Sequence, residues 1–299
     1  MLDLTVIILT YNEELHIRRC LENVKEFASK IYIVDCFSTD QTKAIAEELG
    51  AAVIEHKWPG NQAAQFNWAL DNLEIESSWI LRLDADEYLT PELVKEMEYK
   101  LPLLDDNISA VVLPLGRAFM GRILKHGIVN GVQMIRLFRT GKVRYEQRMM
   151  DEHLTVLKGN IVSFNHKFVD DNMNSLQYFI TKHNGYSAKE AALLLDAEYH
   201  LMNIEEDNSS YCKEVQAKRA QKAKYAKMPL FWRAFAYFIY RYIVKLGFLD
   251  GKEGFLWDFL QGWWYRTLVD AKVFEIKKTC GNDKEKIRRH LKEHYQIEI

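Results

Sequence analysis

The sequence predicts an α/β protein with a parallel sheet, and two observations carry the prediction. From Leu4 to Asp84, short apolar runs alternate regularly with segments of helical spacing. The first run, Leu4–Leu9, is apolar on both faces, as a central strand covered on each side must be. After Tyr11 and Asn12, apolar residues at Leu15, Ile17, Cys20, Leu21, Val24 and Phe27 follow helical spacing, and Ile31–Val34 returns to a strand pattern, completing a βαβ unit. Ser38, Thr39 and Asp40 are cap candidates for a second helix, which runs from about Asp40 to Leu49 and closes at Gly50. Ala51–Ile54 reads as the third strand and Trp58–Gln65 as a loop. Phe66–Leu73 reads as a helix, and Trp79–Leu83 as a fourth strand that stops at Asp84.

Beyond residue 90 the pattern changes. Thr90-Pro91-Glu92 places a capping residue before a proline at the first helical position, so a helix starts there and ends near Pro102. Ala110–Leu115 and Val132–Phe138 read as strands, and the glycine-punctuated stretch between them reads as a loop long enough to be functional. Ile161–Phe164 reads as another strand, and residues 175–228 as mostly helical. The expected organisation is a domain over residues 1–170 and a helical region over residues 171–299.

At 299 residues, with 48% hydrophobic and 27% charged content, the chain can bury a full core. Its 40 Lys and Arg against 42 Asp and Glu remove the bulk electrostatic argument for a nucleic-acid partner. Cys20, Cys36, Cys212 and Cys280 show no CxxC or Cys/His pairing, which speaks against a zinc site or a disulfide framework and fits a reducing cytoplasm. Met1–Thr10 lacks the basic start and long apolar run of a secretory signal, so the expected location is cytoplasmic.

Ligands of open α/β sheets sit at the carboxyl ends of the strands. Strand one ends in Thr10-Tyr11-Asn12-Glu13-Glu14, strand two in Asp35 with Ser38, Thr39 and Asp40 behind it, and strand four in Asp84-Ala85-Asp86-Glu87. Three strand ends thus bring carboxylates to one rim. The i, i+2 pair Asp84/Asp86 offers hard oxygen ligands to Mg²⁺ or Mn²⁺ beside a diphosphate, or else it only ends a strand and favours the N-terminus of the next helix.

Four ordered stretches, ILTYNEE at 8–14, VDCFSTDQT at 34–42, Gln65 with Asn67-Trp68-Ala69-Leu70, and LDADE at 83–87, resemble glycosyltransferase family 2. The likeness is to the branch with lipopolysaccharide-core and exopolysaccharide glycosyltransferases, and it covers about the first 170 residues. It implies a GT-A type nucleotide-sugar-binding fold with a mixed, mainly parallel sheet, a nucleotide-sugar donor (UDP-sugar favoured), a divalent cation (Mg²⁺ or Mn²⁺) and inversion at the anomeric carbon. The acceptor it implies is a glycan or lipid-linked molecule of lipopolysaccharide or capsule type. Carried over by position, the resemblance puts Thr10, Asn12 and Glu13 near the nucleoside and Asp35 on the base. Gln65 and Asn67 join the donor site, and Asp84 and Asp86 meet the diphosphate and metal. Phe66, flanked by Gln62 and Gln65, stands where many relatives carry a basic residue.

Inversion needs a base for the acceptor hydroxyl. The candidate segment is Asp151-Glu152-His153; in the resembling branch the equivalent segment carries a glutamate, so the resemblance implies Glu152, with Asp151 second, although an exposed acidic turn pairing with nearby arginines is the alternative. His166 is a third metal ligand, a diphosphate contact or a structural histidine, and Lys125, His126, Arg136 and Arg139 either meet an anionic acceptor or form a solvated basic face. Two rival readings are a polyprenyl-phosphate glycosyltransferase and a catalytically inactive membrane-associated scaffold.

Residues 213–227 hold six basic residues and one acid, and the aromatic-rich stretch 228–249 follows. Only seven uncharged residues separate Arg233 from Arg241, which is too few to span a bilayer. On a helix, Arg233, Arg241 and Lys245 fall within about a third of the circumference and leave a broad aromatic face. Either that face lies on the inner leaflet of the plasma membrane, or the aromatics pack on Leu256, Trp257, Phe259, Trp263 and Trp264.

Overall fold

In the computed structural model, which describes residues 1–129, 131–146, 153–201 and 224–299, the N-terminal apolar run becomes the central strand β1 (Leu2–Thr10). β1 pairs in parallel with β2 (Ala28–Asp35) on one side and with β4 (Trp79–Asp84) on the other, and β3 (Ala52–Glu55) lies outside β2. Pleating sends alternate side chains to opposite faces. Leu4, Val6 and Ile8 share a core with Ile17, Leu21 and Val24 of α1 (Ile17–Val24) and with Leu93 and Met97 of α4 (Pro91–Lys100). Ile7 faces the other way, toward Phe66 of α3 (Gln62–Asn72), Ile80 and Phe138. Both faces are therefore covered by apolar packing, which is why the strand carries no polar alternation.

Past β4 the sheet becomes mixed. β8 (Gln133–Arg139) runs antiparallel to β4, and β6 (Ile108–Phe119) antiparallel to β8. β12 (Phe168–Asp170) pairs in parallel with β6 and antiparallel with β5 (Glu87–Leu89), while β11 (Asn160–Ser163) pairs in parallel with β6. β9 (Val143–Tyr145) and β10 (Leu154–Val156) form a separate antiparallel pair. Part of the expected 116–131 loop is a hairpin: β6 continues to Phe119, and β7 (Arg122–Leu124) folds back through Met120 and Gly121, whose φ values of 49° and 80° suit a two-residue hairpin turn.

Helix α3 starts at Gln62, inside the stretch expected to be a loop, because the Asn61 side chain accepts from Ala64 N at 2.7 Å and caps it. α2 occupies Thr42–Glu48, and α4 begins behind Thr90, whose Oγ1 accepts from Leu93 N at 3.3 Å.

Contacts divide the chain into unit 1, Met1–Lys125 with Val129–Met173, and unit 2, His126–Ile128 with Asn174–Ile299. Unit 2 contains α5 (Leu176–Tyr199), α6 (Trp232–Ile239), α7 (Gly251–Trp257), α8 (Tyr265–Cys280) and α9 (Lys284–Tyr295). A π-helical turn, Tyr240–Val244, continues α6, and another, Asp258–Trp264, joins α7 to α8. Ala188, Ala191, Ala192 and Leu195 of α5 pack with Val269, Val273 and Ile276 of α8 at helical spacing.

Arg233, Arg241 and Lys245, grouped on one side of the 228–249 stretch, meet different surroundings. Arg233 and Arg241 are buried rather than solvated, paired with Asp270 (Nη2 to Oδ1, 2.5 Å) and Asp258 (Nε to Oδ1, 2.8 Å), and only Lys245 of the three is exposed. Among the described residues no helix is long and apolar enough to cross a membrane.

Candidate active site

Register alone brings three strand ends together. Thr10 sits beside Asp35, and Leu9 beside Asp84, so the loops after β1, β2 and β4 leave the sheet at one level. The first two loops are laced to each other. Thr10 Oγ1 donates to Asp35 Oδ1 at 2.7 Å, and Ser38 donates its hydroxyl to the same oxygen at 2.6 Å and its N–H to Oδ2 at 2.7 Å. Asn12 adopts the left-handed conformation at φ 54°, donating its N–H to Ser38 Oγ and accepting from Thr39 N, both at 2.8 Å. Glu13 N donates to Thr42 Oγ1 at 2.7 Å.

These bonds give the expected donor residues different positions. Asn12 is exposed and Glu13 half-buried at the rim, whereas Asp35 has no exposed surface and its oxygens shape the β2 loop. Gln65 is also fully buried, with Oε1 2.7 Å from His56 Nδ1 and its Nε2 donating to His56 O at 3.3 Å. Asn67 exchanges two 2.9 Å hydrogen bonds with the Tyr145 backbone, so its carboxamide holds β9. The structure thus engages Gln65 and Asn67 with partners inside the domain. Phe66, where a basic residue was expected, is a core residue in edge contact with Phe138 and Tyr145. Its neighbour Gln62 reaches the rim instead and donates to Asp84 Oδ1 at 3.0 Å.

Asp84 stands at the centre of a charge cluster. Its Oδ1 accepts from Arg82 Nη2 at 2.7 Å and its Oδ2 lies 3.5 Å from Arg136 Nη2, while its N–H donates to Glu87 Oε2 at 3.0 Å. Arg136 Nη2 also pairs with Glu87 Oε1 at 2.5 Å, and Arg82, Glu87 and Arg136 are each at most 3% exposed. Asp84 itself keeps 31% of its side-chain surface. Burial and the Asp84 charge push the Glu87 carboxyl well above its ordinary pKa, and Arg82 pulls it back. Burial works against the Arg82 charge, yet Asp84, Tyr145 and Glu87 outweigh it and raise the guanidinium's pKa. Arg136 is therefore no part of a solvated basic face. Arg139 likewise bonds the carbonyls of Ile108, Leu104 and Asp105, and His126 bonds Asp250 within unit 2.

Asp86 is held from its far side. Its carbonyl accepts from Asp171 N at 2.9 Å and Arg19 Nη2 at 3.2 Å, and its Oδ2 accepts from Asn172 Nδ2 at 2.9 Å. Arg19 in turn pairs with Asp171 Oδ2 at 2.5 Å. The donor chemistry of Asp84 and Asp86 fits Mg²⁺ or Mn²⁺, which take one or two protein carboxylates and complete their shells with phosphate and water. Among the described residues, no three His, Cys, Asp or Glu side chains gather closely enough to hold a metal ion. His166 is fixed by Glu96, Nδ1 to Oε2 at 2.8 Å and N–H to Oε2 at 3.0 Å. Glu152 and Asp151 lie outside the described residues.

Several residues at this rim were not singled out from the sequence. Arg82, Arg19 and the Asp170-Asp171-Asn172 run gave no periodic signal, although three polar residues directly after Phe168-Val169 mark a strand end. His16 is buried; its Nε2 accepts from Met173 N at 2.9 Å, so its proton sits on Nδ1, 2.6 Å from Glu13 Oε2. Tyr11 and Phe37 stand exposed on the two laced loops, at 60% and 54%.

Comparison with known proteins agrees with this geometry. An uncharacterized glycosyltransferase of Rickettsia bellii is 27% identical over 287 residues, covering 93% of this chain and 88% of its own. Another, from Rickettsia felis, is 42% identical over 99 residues, which are 33% of this chain and 34% of that protein. Glucosyl-3-phosphoglycerate synthase from Mycobacterium tuberculosis, solved with Mn²⁺, UDP and glucosyl-3-phosphoglycerate, aligns with 38% of this chain and 44% of its own at 20% identity. Its TM-score of 0.32 is too low to carry an argument. Residues 5–151 match the family model described as glycosyl transferase family 2, and they span β1 to β9 with the laced loops and the Asp84/Asp86 rim. Residues 5–151, just under half of the chain, are therefore similar to glycosyl transferase family 2, in a GT-A type fold with a mixed, mainly parallel sheet that a helical C-terminal region follows.

Proposed function

We propose that unit 1 transfers a sugar, with inversion, from a nucleotide diphosphate to a glycan or lipid-linked acceptor of lipopolysaccharide, capsule or exopolysaccharide type. A UDP-sugar is the favoured donor. The observation that carries this reading is the register that sets Thr10 beside Asp35 and Leu9 beside Asp84, because it gathers a polar, partly exposed rim from three loops at one sheet end. In this reading the nucleoside lies against Asn12 and Glu13, with Tyr11 and Phe37 offering flat apolar faces to the base. Thr10, Asp35, Gln65 and Asn67 hold the loops in shape, and Gln62 and Asp84 face the diphosphate. Asp86 and Asp84 would hold a divalent cation, Mg²⁺ or Mn²⁺, which would supply positive charge to the departing diphosphate. Glu152, with Asp151 second, takes the proton of the acceptor hydroxyl as its oxygen bonds to the anomeric carbon from the opposite face. The bond from that carbon to the diphosphate breaks, and the diphosphate leaves with the electron pair. Residues 1–170 are the catalytic domain and residues 171–299 a membrane-proximal region, placing the enzyme in the cytoplasm against the inner face of the plasma membrane.

The experiment is transfer from radiolabelled UDP-glucose, UDP-galactose and UDP-N-acetylglucosamine with Mn²⁺ onto an envelope glycolipid fraction, with the product linkage read by NMR. A β-linked product from an α-linked donor is expected. Retention of the α configuration, or no transfer from any nucleotide sugar, contradicts the reading.

A further inference from the structure

The helix α6 and its π-helical continuation are inside out for a water-facing element. A surface helix buries its apolar stripe and exposes its charges. Here the charges turn inward: Arg233 and Arg241 are buried against Asp270 and Asp258, and the chain makes room for them. A Cβ on Gly262 would lie 3.0 Å from Arg241 Cδ, and one on Gly247 would lie 1.8 Å from Asp258 Oδ2. Neutralising both arginines inside leaves the outer face to large apolar side chains. Trp232, Ile243 and Val244 are 73%, 50% and 61% exposed, with Phe235, Tyr240 and Phe248 exposed beside them.

Two further features bear on what covers this face. The exposed charged residues between 224 and 253 are lysines, namely Lys224, Lys227, Lys245 and Lys252, while Asp250 is buried and Glu253 half-buried. The face is also continuous with an apolar groove of about 300 Å³ lined by Phe259, Trp263, Trp264 and Leu268, since Phe235 meets Trp263 edge-on at 5.1 Å. Apolar and aromatic side chains bordered by charge of one positive sign are complementary to a layer that is apolar inside and anionic at its surface. A folded protein partner would need its own acidic rim around an apolar centre, whereas an anionic bilayer presents both everywhere.

We infer that the outer face of α6 and the Tyr240–Val244 turn docks unit 2 onto an anionic phospholipid surface, aromatics inserted and the four lysines at the headgroups. This gives the membrane-peripheral placement proposed above its contact surface, and it rests on that placement. The test is flotation of the full chain with vesicles of phosphatidylcholine alone and of phosphatidylcholine with phosphatidylglycerol, with UDP binding in Mn²⁺ measured on the same proteins. Partition should favour the anionic vesicles, and Trp232→Ser/Ile243→Ser/Val244→Ser should lower it at least tenfold while UDP binding holds. Lys245→Gln and Lys252→Gln should each lower partition into anionic vesicles about fivefold. Equal flotation of the triple serine variant, or no flotation of the native chain, overturns the inference. So does a concentration-dependent dimer, seen by sedimentation without lipid, that the triple variant abolishes. Vesicle binding without any sugar transfer would sink the transferase reading and leave the docking face standing; transfer without vesicle binding would do the reverse.

Discussion

Replacing Arg136 with methionine removes the guanidinium that pairs with Glu87 Oε1 at 2.5 Å and lies 3.5 Å from Asp84 Oδ2. Glu87 is 2% exposed, so its carboxylate is left without its closest counter-charge in a site that water does not reach. Breaking a buried pair from one side costs about 3–5 kcal/mol, because desolvation of the surviving charge is no longer offset. The penalty has a definite pH dependence. Burial already raises the Glu87 pKa above its ordinary 4.5, and loss of a positive charge paired at 2.5 Å raises it further. A group raised in the folded state contributes its stability below its unfolded pKa and loses it as pH climbs through the folded value, so the penalty is smaller at pH 5 than at pH 8. Urea unfolding followed by hydrogen exchange of the β4 and β8 amides reports on unit 1 by itself. Arg136→Met/Glu87→Leu, which removes both charges, should regain most of the loss, giving a coupling of several kcal/mol in the double-mutant cycle. A single-variant loss below about 1 kcal/mol, or a double variant as unstable as the summed singles, would refute a charge-paired core beneath Asp84.

Glu152→Gln should keep UDP affinity and lose about 10²–10⁴-fold in turnover; near-normal turnover would move the base to Asp151 or elsewhere. Glu96 tests the placement of His166. Burial alone would raise the Glu96 pKa, but Lys100 and the N–H groups of Asn165 and His166 outweigh it and hold it at about 2, so the group stabilises the fold above its unfolded value and loses that as pH falls toward 2. Since Glu96 is 4% exposed, the 2.5-unit depression amounts to about 3 kcal/mol, and Glu96→Gln should destabilise unit 1 by about that at pH 7, with the gap to the native protein closing between pH 4.5 and 2. A constant gap across that range would count against it. Asn61→Ala should cost about 1 kcal/mol through loss of the α3 cap, read in the same urea assay, and no measurable cost would mean that the cap does not set the start of α3.

The parallel half of the sheet was legible because its strands are buried on both faces and read as largely apolar runs, as Leu4–Leu9 and, apart from Arg82, Trp79–Leu83 do. The three-residue strands β5, β7, β9, β10 and β12 are too short to show a period, so the antiparallel half was only partly visible. At the rim, sequence reasoning found the carboxylates but not what surrounds them. Arg82 reads as one more residue of an apolar strand, and only the fold brings Arg136 from β8 against it. Gln65 and Asn67 drew attention by motif, and the structure turns both inward, because side-chain direction depends on tertiary contacts with His56 and Tyr145 that no local spacing encodes. In unit 2, the helical wheel grouped Arg233 with Arg241 on one side but could not show what that side meets. The acids that bury them, Asp258 and Asp270, lie 17 and 37 residues further along the chain.

Calorimetric titration of UDP, GDP, ADP, CMP and dTDP into the native chain and into Asp86→Asn, each with Mn²⁺ and with chelator, tests the central claim most directly. The account predicts that the native protein binds one diphosphate selectively and only with Mn²⁺, and that Asp86→Asn folds normally yet binds none. Diphosphate affinity in Mn²⁺ that survives Asp86→Asn unchanged, or that persists in chelator, would contradict it.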